Sequence, residues 1–340
     1  MKKYFIILLS IICFVLLEAQ EKEDRRALNL TIKNYGIGIG HSARINGIRI
    51  NLSDSNLKAV NGINLTFWAP KTTGNPNSTI NGLAVGLVRT YAETVNGISL
   101  GPGVSGGSLN GIHTGILGAG AEDNITGIGL GGLGIGAGSD MTGIFLSGLG
   151  MGCGENLTGI GIGGLGAGAG GNVNGILLGG LGAGCGENMN GIAMALLGAG
   201  CAEDYQGLVI SGLGAGSGEN FTGIGVSGLG LGSGNNYTGL AISGVGFGAG
   251  NKFTGLGVSG FAAGAGKSMT GGVLSLGMIE TPLLKGLATT SYMNVDEFRG
   301  ISIAIFNRID ELHGLEVGVI NYAGNNSGIF KVLPGLNLHL

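Results

Sequence analysis

Glycine flanked by Thr, Asn or Gln on one side and usually by Ile or Leu on the other returns at Gly111, Gly127, Gly143, Gly159, Gly175, Gly191, Gly207, Gly223, Gly239, Gly255 and Gly271. Every step is sixteen residues, so ten units fill 111–270 without an insertion or a deletion. A fixed period of this kind marks a stack of small units, none of which buries its apolar face alone. After Thr281-Pro282 the marker glycines Gly286, Gly300, Gly314 and Gly328 fall fourteen apart, which keeps side chains on their original strand face. Before the regular array, Gly47, Gly62, Gly82 and Gly97 mark looser units, with a Pro- and Asn-rich loop at 70–76. The chain divides by this reading into 1–20, a leader; 21–110, irregular β-repeats; 111–270, regular repeats; and 271–340, fourteen-residue repeats with a terminal strand.

Within a unit, counted from its glycine as position 1, apolar residues alternate, which is the strand period. Position 2 is Ile or Leu and position 4 is usually Leu, Ile, Val or Met, as in Ile160, Ile162 and Val226. Position 7 is Leu in eight successive units from Leu117 to Leu229. Between positions 4 and 7 the alternation slips by one, so each unit must bend there. Positions 3, 5, 8, 10 and 12 are mostly Gly, Ala or Ser, and position 15 is always apolar, from Ile125 to Met269. Position 14 is Asn or Asp from Asn124 to Asn236, which suits a corner with left-handed backbone. No stretch has helical spacing, and the expectation is an all-β chain.

Two architectures accommodate these features. In a parallel β-solenoid each unit is one coil, coils stack about 4.8 Å apart, and equal positions form ladders. The invariant period, the bend and the Asn column favour it, with Ile and Leu expected as the core ladder and glycine on the outer face. The alternative is a transmembrane antiparallel β-barrel of about 20 strands, with 336–340 as an alternating last strand. It explains low charge and high apolarity, but not why inner and outer turns share one length or why the lumen would be glycine instead of polar.

Composition narrows the function classes. The chain has 77 glycines and 5 prolines among 340 residues, yet 44% is apolar, which disfavours disorder and excludes collagen. A formal charge of -3 gives no basic footprint for nucleic acid. The first twenty residues, Lys2-Lys3 followed by an apolar run over 4–17 and a small residue at Ala19, read as a secretory signal peptide. An exported protein is therefore expected.

Asn46-Gly47-Ile48, Asn61-Gly62-Ile63-Asn64-Leu65, the repeated Gly-Leu-Gly-x-Gly-x-Gly coils and the tail Val319-Ile320-Asn321-Tyr322-Ala323-Gly324-Asn325-Asn326 carry a resemblance over about 45–340. The chain resembles the glycine-rich surface-repeat proteins of Gram-negative bacteria, a family without an established activity. The resemblance implies a cell-envelope or surface location and supplies no functional residues.

Signals for chemistry are weak. Gly103-Val104-Ser105-Gly106-Gly107 matches the G-x-S-x-G nucleophile pattern but lacks the strand-to-helix turn that pattern needs. His41, His113, His313 and His339 show no ligand spacing, and Asp123, Asp140, Glu155, Glu187, Glu203, Asp204 and Glu219 read as solvated turn residues. Catalytic, cofactor and metal sites are accordingly expected to be none. Position 16 forms a Thr, Asn or Gln column, a candidate edge for ice or polysaccharide, although the single Trp68 lies outside the regular array. Cys153, Cys185 and Cys201 share position 11 and read as small core fillers. The functional expectation is a non-enzymatic, exported envelope or surface repeat protein without cofactor, contacting an unidentified envelope partner and associated with the outer membrane, but not with nucleic acid. The alternative is an outer-membrane β-barrel channel.

Overall fold

The computed structural model describes residues 27–54, 56–69 and 77–339, so the leader and the 70–76 loop lie outside the described residues. The chain divides into two compact units, 1–163 and 164–340, and each is a parallel β-solenoid. In the first unit Ile125–Gly131 runs parallel to Met141–Ser147, pairing Gly127 with Gly143 and Ile128 with Ile144. In the second, Tyr205–Ser211 pairs in the same way with Phe221–Ser227, and Gly214–Ser217 with Gly230–Ser233. Parallel, in-register partners one repeat apart contradict the antiparallel barrel, whose neighbouring strands alternate in direction.

A regular coil is a seven-residue strand over positions 15 to 5, a bend at positions 6 and 7, a four-residue strand over positions 8 to 11, and a turn. Ile125–Gly131, Gly132-Leu133 and Gly134–Ala137 show the sequence of parts. The bend falls where the alternation slips. Antiparallel strands occur at the described extremes, where Ala27–Ile32 pairs with Tyr35–Gly40 and Val332–His339 pairs back on 314–322. Gly328 leaves the glycine column and opens a single 3-10 turn, Gly328–Lys331, so the last fourteen-residue step does not close a coil. Among the described residues there is no α-helix.

The glycine at position 1 has φ between 119° and 151° from Gly47 to Gly314. A Cβ on Gly223 would run into the carbonyl oxygen of Gly207 one coil below, so both torsion and stacking require glycine there. The Asn column at position 14 works differently from its expectation. Positive φ among the described non-glycine residues is confined to Lys33, Asn34 and Asn56. Instead, side chains of the column cap backbone amides of the next coil: Asn188 Oδ1 accepts from the Asp204 amide at 3.1 Å, and Asp204 Oδ1 from the Asn220 amide at 3.0 Å.

The interior corrects the Ile/Leu-core expectation. Positions 15, 3, 9 and 11 are buried, and they hold Phe221, Tyr237, Ala241, Ala199 and Cys201, among others. The Ile and Leu residues of positions 2, 4 and 7 lie outside: Ile224 is 44% exposed and Leu213 46%. Large side chains are accommodated by small residues opposite them or in the adjacent coils, as where Phe145 and Met151 share a coil flanked by Gly129 and Gly161. Gly225 faces Leu231 and the Tyr237 hydroxyl, whereas Leu177 shares its coil with Ala183. Gly257 faces the Phe247 ring in the same way.

Candidate functional surface

In each unit the charge of the regular array sits on the turn edge of the coils. All ten charged residues in 111–270 fall at positions 12 to 14: Glu122, Asp123, Asp140, Glu155, Glu187, Glu203, Asp204, Glu219, Lys252 and Lys267. The bend bearing the position-7 Leu residues lies between the two strands of each coil, away from this turn. Within the second unit, Leu165, Leu181, Leu197, Leu213 and Leu229 are each 45–50% exposed. On the longer strand, positions 2 and 4 add two more rows, including Ile210, Ile224, Ile242, Leu256 and Val258. Parallel sheets are ordinarily covered on both faces. At about 4.8 Å per rung, the six coils from Ile176 to Val258 give rows about 29 Å long, and two rows about 7 Å apart make an apolar strip of roughly 400 Å². That already lies within the range of the largest patch of an ordinary monomer, about 300–600 Å², before the Leu edge is added.

Beside this strip lies a polar hollow of about 460 Å³ in the second unit. One wall is the position-14 column, Asn172, Asn188, Asp204 and Asn220; the other is position 16, Asn174, Asn190, Gln206 and Thr222. Met189 and Tyr205 of position 15 point inward below it and are buried. The first wall is held by its own ladder: Asn188 Nδ2 donates to Asn172 Oδ1 at 3.0 Å and Asn220 Nδ2 to Asp204 Oδ1 at 2.9 Å. Asn172 and Asn188 also donate to Glu187 and Glu203, fixing the acidic rim. The Tyr205 hydroxyl donates to the Leu208 carbonyl at 2.7 Å and accepts from the Ala193 amide, and burial raises its pKa.

The other sequence candidates are dispersed. Ser105 Oγ donates to the Thr90 carbonyl within a strand, so its hydroxyl is committed to the backbone. His113 is buried with Nδ1 3.1 Å from Ser99 Oγ, and burial pushes its pKa down to about 4. The sequence did not pair His313 with His339, but their rings meet edge to face with centroids 6.2 Å apart. His339 also contacts Asn326 through Nδ1. No group of three or more His, Cys, Asp or Glu able to hold a metal ion occurs among the described residues. Cys185 and Cys201 are in register in adjacent coils, free and buried, and burial raises the Cys153 thiol to about 11. Trp68 is exposed.

Two buried polar clusters were missed by sequence reading. In the first unit Arg49 pairs with Asp54 at 2.8 Å and donates to Asn64 Oδ1 and the Ser42 carbonyl. Thr66 and Asn64 complete the shell around Asp54. In the second unit Glu316 is fully buried, and burial pushes its carboxyl up to about 8 against the weaker opposing pull of the Asn337 amide. The signal available was positional: Arg49, Asn64, Ser302 and Glu316 all stand two residues after a column glycine, the inward position 3. Comparison with protein-family models, with curated proteins and with solved structures found no match.

Proposed function

We propose that this solenoid acts without catalysis, as an exported cell-envelope or surface protein that presents its apolar ladders to an envelope partner. The observation that carries the reading is the segregation across the coil: three exposed rows of Ile, Leu and Val, with every charge of the regular array confined to the turn. An apolar strip of that size in water favours coverage by roughly 25 cal/mol per Å² removed from solvent. Regular coil length keeps the rows straight, so the surface suits an extended or repetitive partner rather than a compact ligand. The leader-like residues 1–20 and the resemblance to surface-repeat proteins support the envelope assignment. A channel reading loses its basis with the barrel, because a solenoid interior filled by Phe221, Tyr237 and Ala241 has no lumen.

The test is fractionation of cells producing the full chain, beside a triple variant carrying Leu208→Lys, Ile224→Lys and Leu240→Lys. These residues lie on the outward strand face, so the variant should keep its far-ultraviolet circular dichroism. The wild type should fractionate with the envelope and the variant should be released from it. A wild type found only in the cytoplasm, or a purified protein that turns over a defined substrate, would overturn the reading.

A further inference from the structure

We propose that the polar hollow between positions 14 and 16 of the second unit is a binding groove for a neutral, hydroxyl-rich linear glycan. The amides occupy the row next to the apolar strip on the same strand face, and the inference rests on different residues from that strip.

The argument begins with a departure from the repeat. Position 16 is Thr in most coils of the regular array, including Thr222, Thr238, Thr254 and Thr270 of the same unit. In three successive coils it is instead Asn174, Asn190 and Gln206, and these three line one wall of the hollow. The fold does not require the change, because Thr occupies the equivalent site without altering the strand pairing, as at Thr222 and Thr238.

The amides are also presented differently from others in the chain. In the first unit, the residues preceding the column glycines form a self-bonded ladder. Asn61 donates to Asn46, Asn81 to Asn61, Asn96 to Asn81 and Asn110 to Asn96, at 2.7–3.0 Å. Asn174, Asn190 and Gln206 are exposed and make none of these rung-to-rung bonds. Each primary amide therefore offers an acceptor and two donors to whatever enters the groove. Vicinal hydroxyls, which donate and accept together, are the complementary chemistry.

Electrostatics and spacing select among polymers. Glu187 and Glu203 bond to the groove's Asn wall and Asp204 belongs to it, so an anionic polymer is repelled. The amides recur about every 4.8 Å along the groove, a spacing that suits a linear polymer over a compact ligand. The opposing wall is braced by its Asn–Asp ladder, which leaves the groove formed before a ligand arrives. Its volume lies within the usual range for ligand sites, about 300–1,000 Å³.

The test is calorimetric titration of the purified full chain with a panel of neutral linear hexasaccharides built from glucose, mannose, galactose or N-acetylglucosamine. The comparison variant carries Asn174→Thr, Asn190→Thr and Gln206→Thr, which returns all three coils to the repeat's own residue. At least one hexasaccharide should bind the wild type, and the variant should lose roughly tenfold or more in affinity with an unchanged melting temperature. Equal binding by both proteins, or no binding to any panel member by a folded wild type, overturns the proposal. Preferential binding of polygalacturonate, included as an anionic probe, does so as well.

Discussion

Phe221 and Tyr237 stack in the interior of the second unit with ring centroids 4.5 Å apart and planes inclined by 12°. They occupy position 15 of successive coils, one rung of the sheet apart. Tyr205 and Phe253 extend the column on either side, at 4.9 and 5.5 Å. The buried tyrosines keep their hydroxyls satisfied, as when Tyr237 donates to the Leu240 carbonyl at 2.9 Å. Replacing Phe221 with Ala leaves a void between two rings and should cost about 4 kcal/mol. Urea denaturation would show this as a lower midpoint.

Glycine substitutions should divide sharply by position. Gly223→Ala places a side chain at φ 139° and against the Gly207 carbonyl, and should destabilise by about 3 kcal/mol. Gly150 lies on the outward side of the shorter strand, where an added Cβ would meet nothing within 4 Å beyond its own chain neighbours. Gly150→Ala should therefore stabilise by about 0.5 kcal/mol. Thermal melts of the two variants beside the wild type check the pair.

Stability should depend on pH through Glu316. Its carboxyl is raised from 4.5 to about 8 in the fold, so the folded state holds a proton that the unfolded state has lost between those values. Its contribution is full below about pH 4.5 and declines as pH rises to about 8. His113 has the opposite sense: lowered from 6.5 to about 4, it reduces stability as pH falls through that window. Glu316→Gln should remove the loss between pH 5 and 8, measured as melting temperature against pH; an unchanged slope would contradict the assignment.

The all-β repeat, the coil length and the bend were legible in the sequence because each follows from period and parity. The direction of the side chains was not. Alternation fixes which residues share a face, but the habit of placing the most regular aliphatic columns inside put Ile224 and Leu213 in the core. The corrective signal was position 15, where Tyr205, Phe221, Tyr237 and Phe253 share a strand and a parity with positions 3 and 5. The amide hollow was half visible: the position-16 column was singled out, but which amides stay unbonded depends on side-chain geometry. The buried Arg49–Asp54 pair was hidden because a charged residue on a strand is ordinarily read as facing water.

Inversion of the coil underlies the proposed function, and thiol accessibility tests it most directly. In a background with Cys13, Cys153, Cys185 and Cys201 changed to Ala, single cysteines would replace Ile224, on the outward face, and Ala241, fully buried in the interior. Alkylation by a water-soluble maleimide would be followed on monomer isolated by gel filtration. The account predicts rapid labelling at Ile224→Cys and labelling at Ala241→Cys only on unfolding. Protection of Ile224→Cys with ready reaction of Ala241→Cys would show that Ile and Leu form the core after all, and would remove the surface on which the proposed function depends.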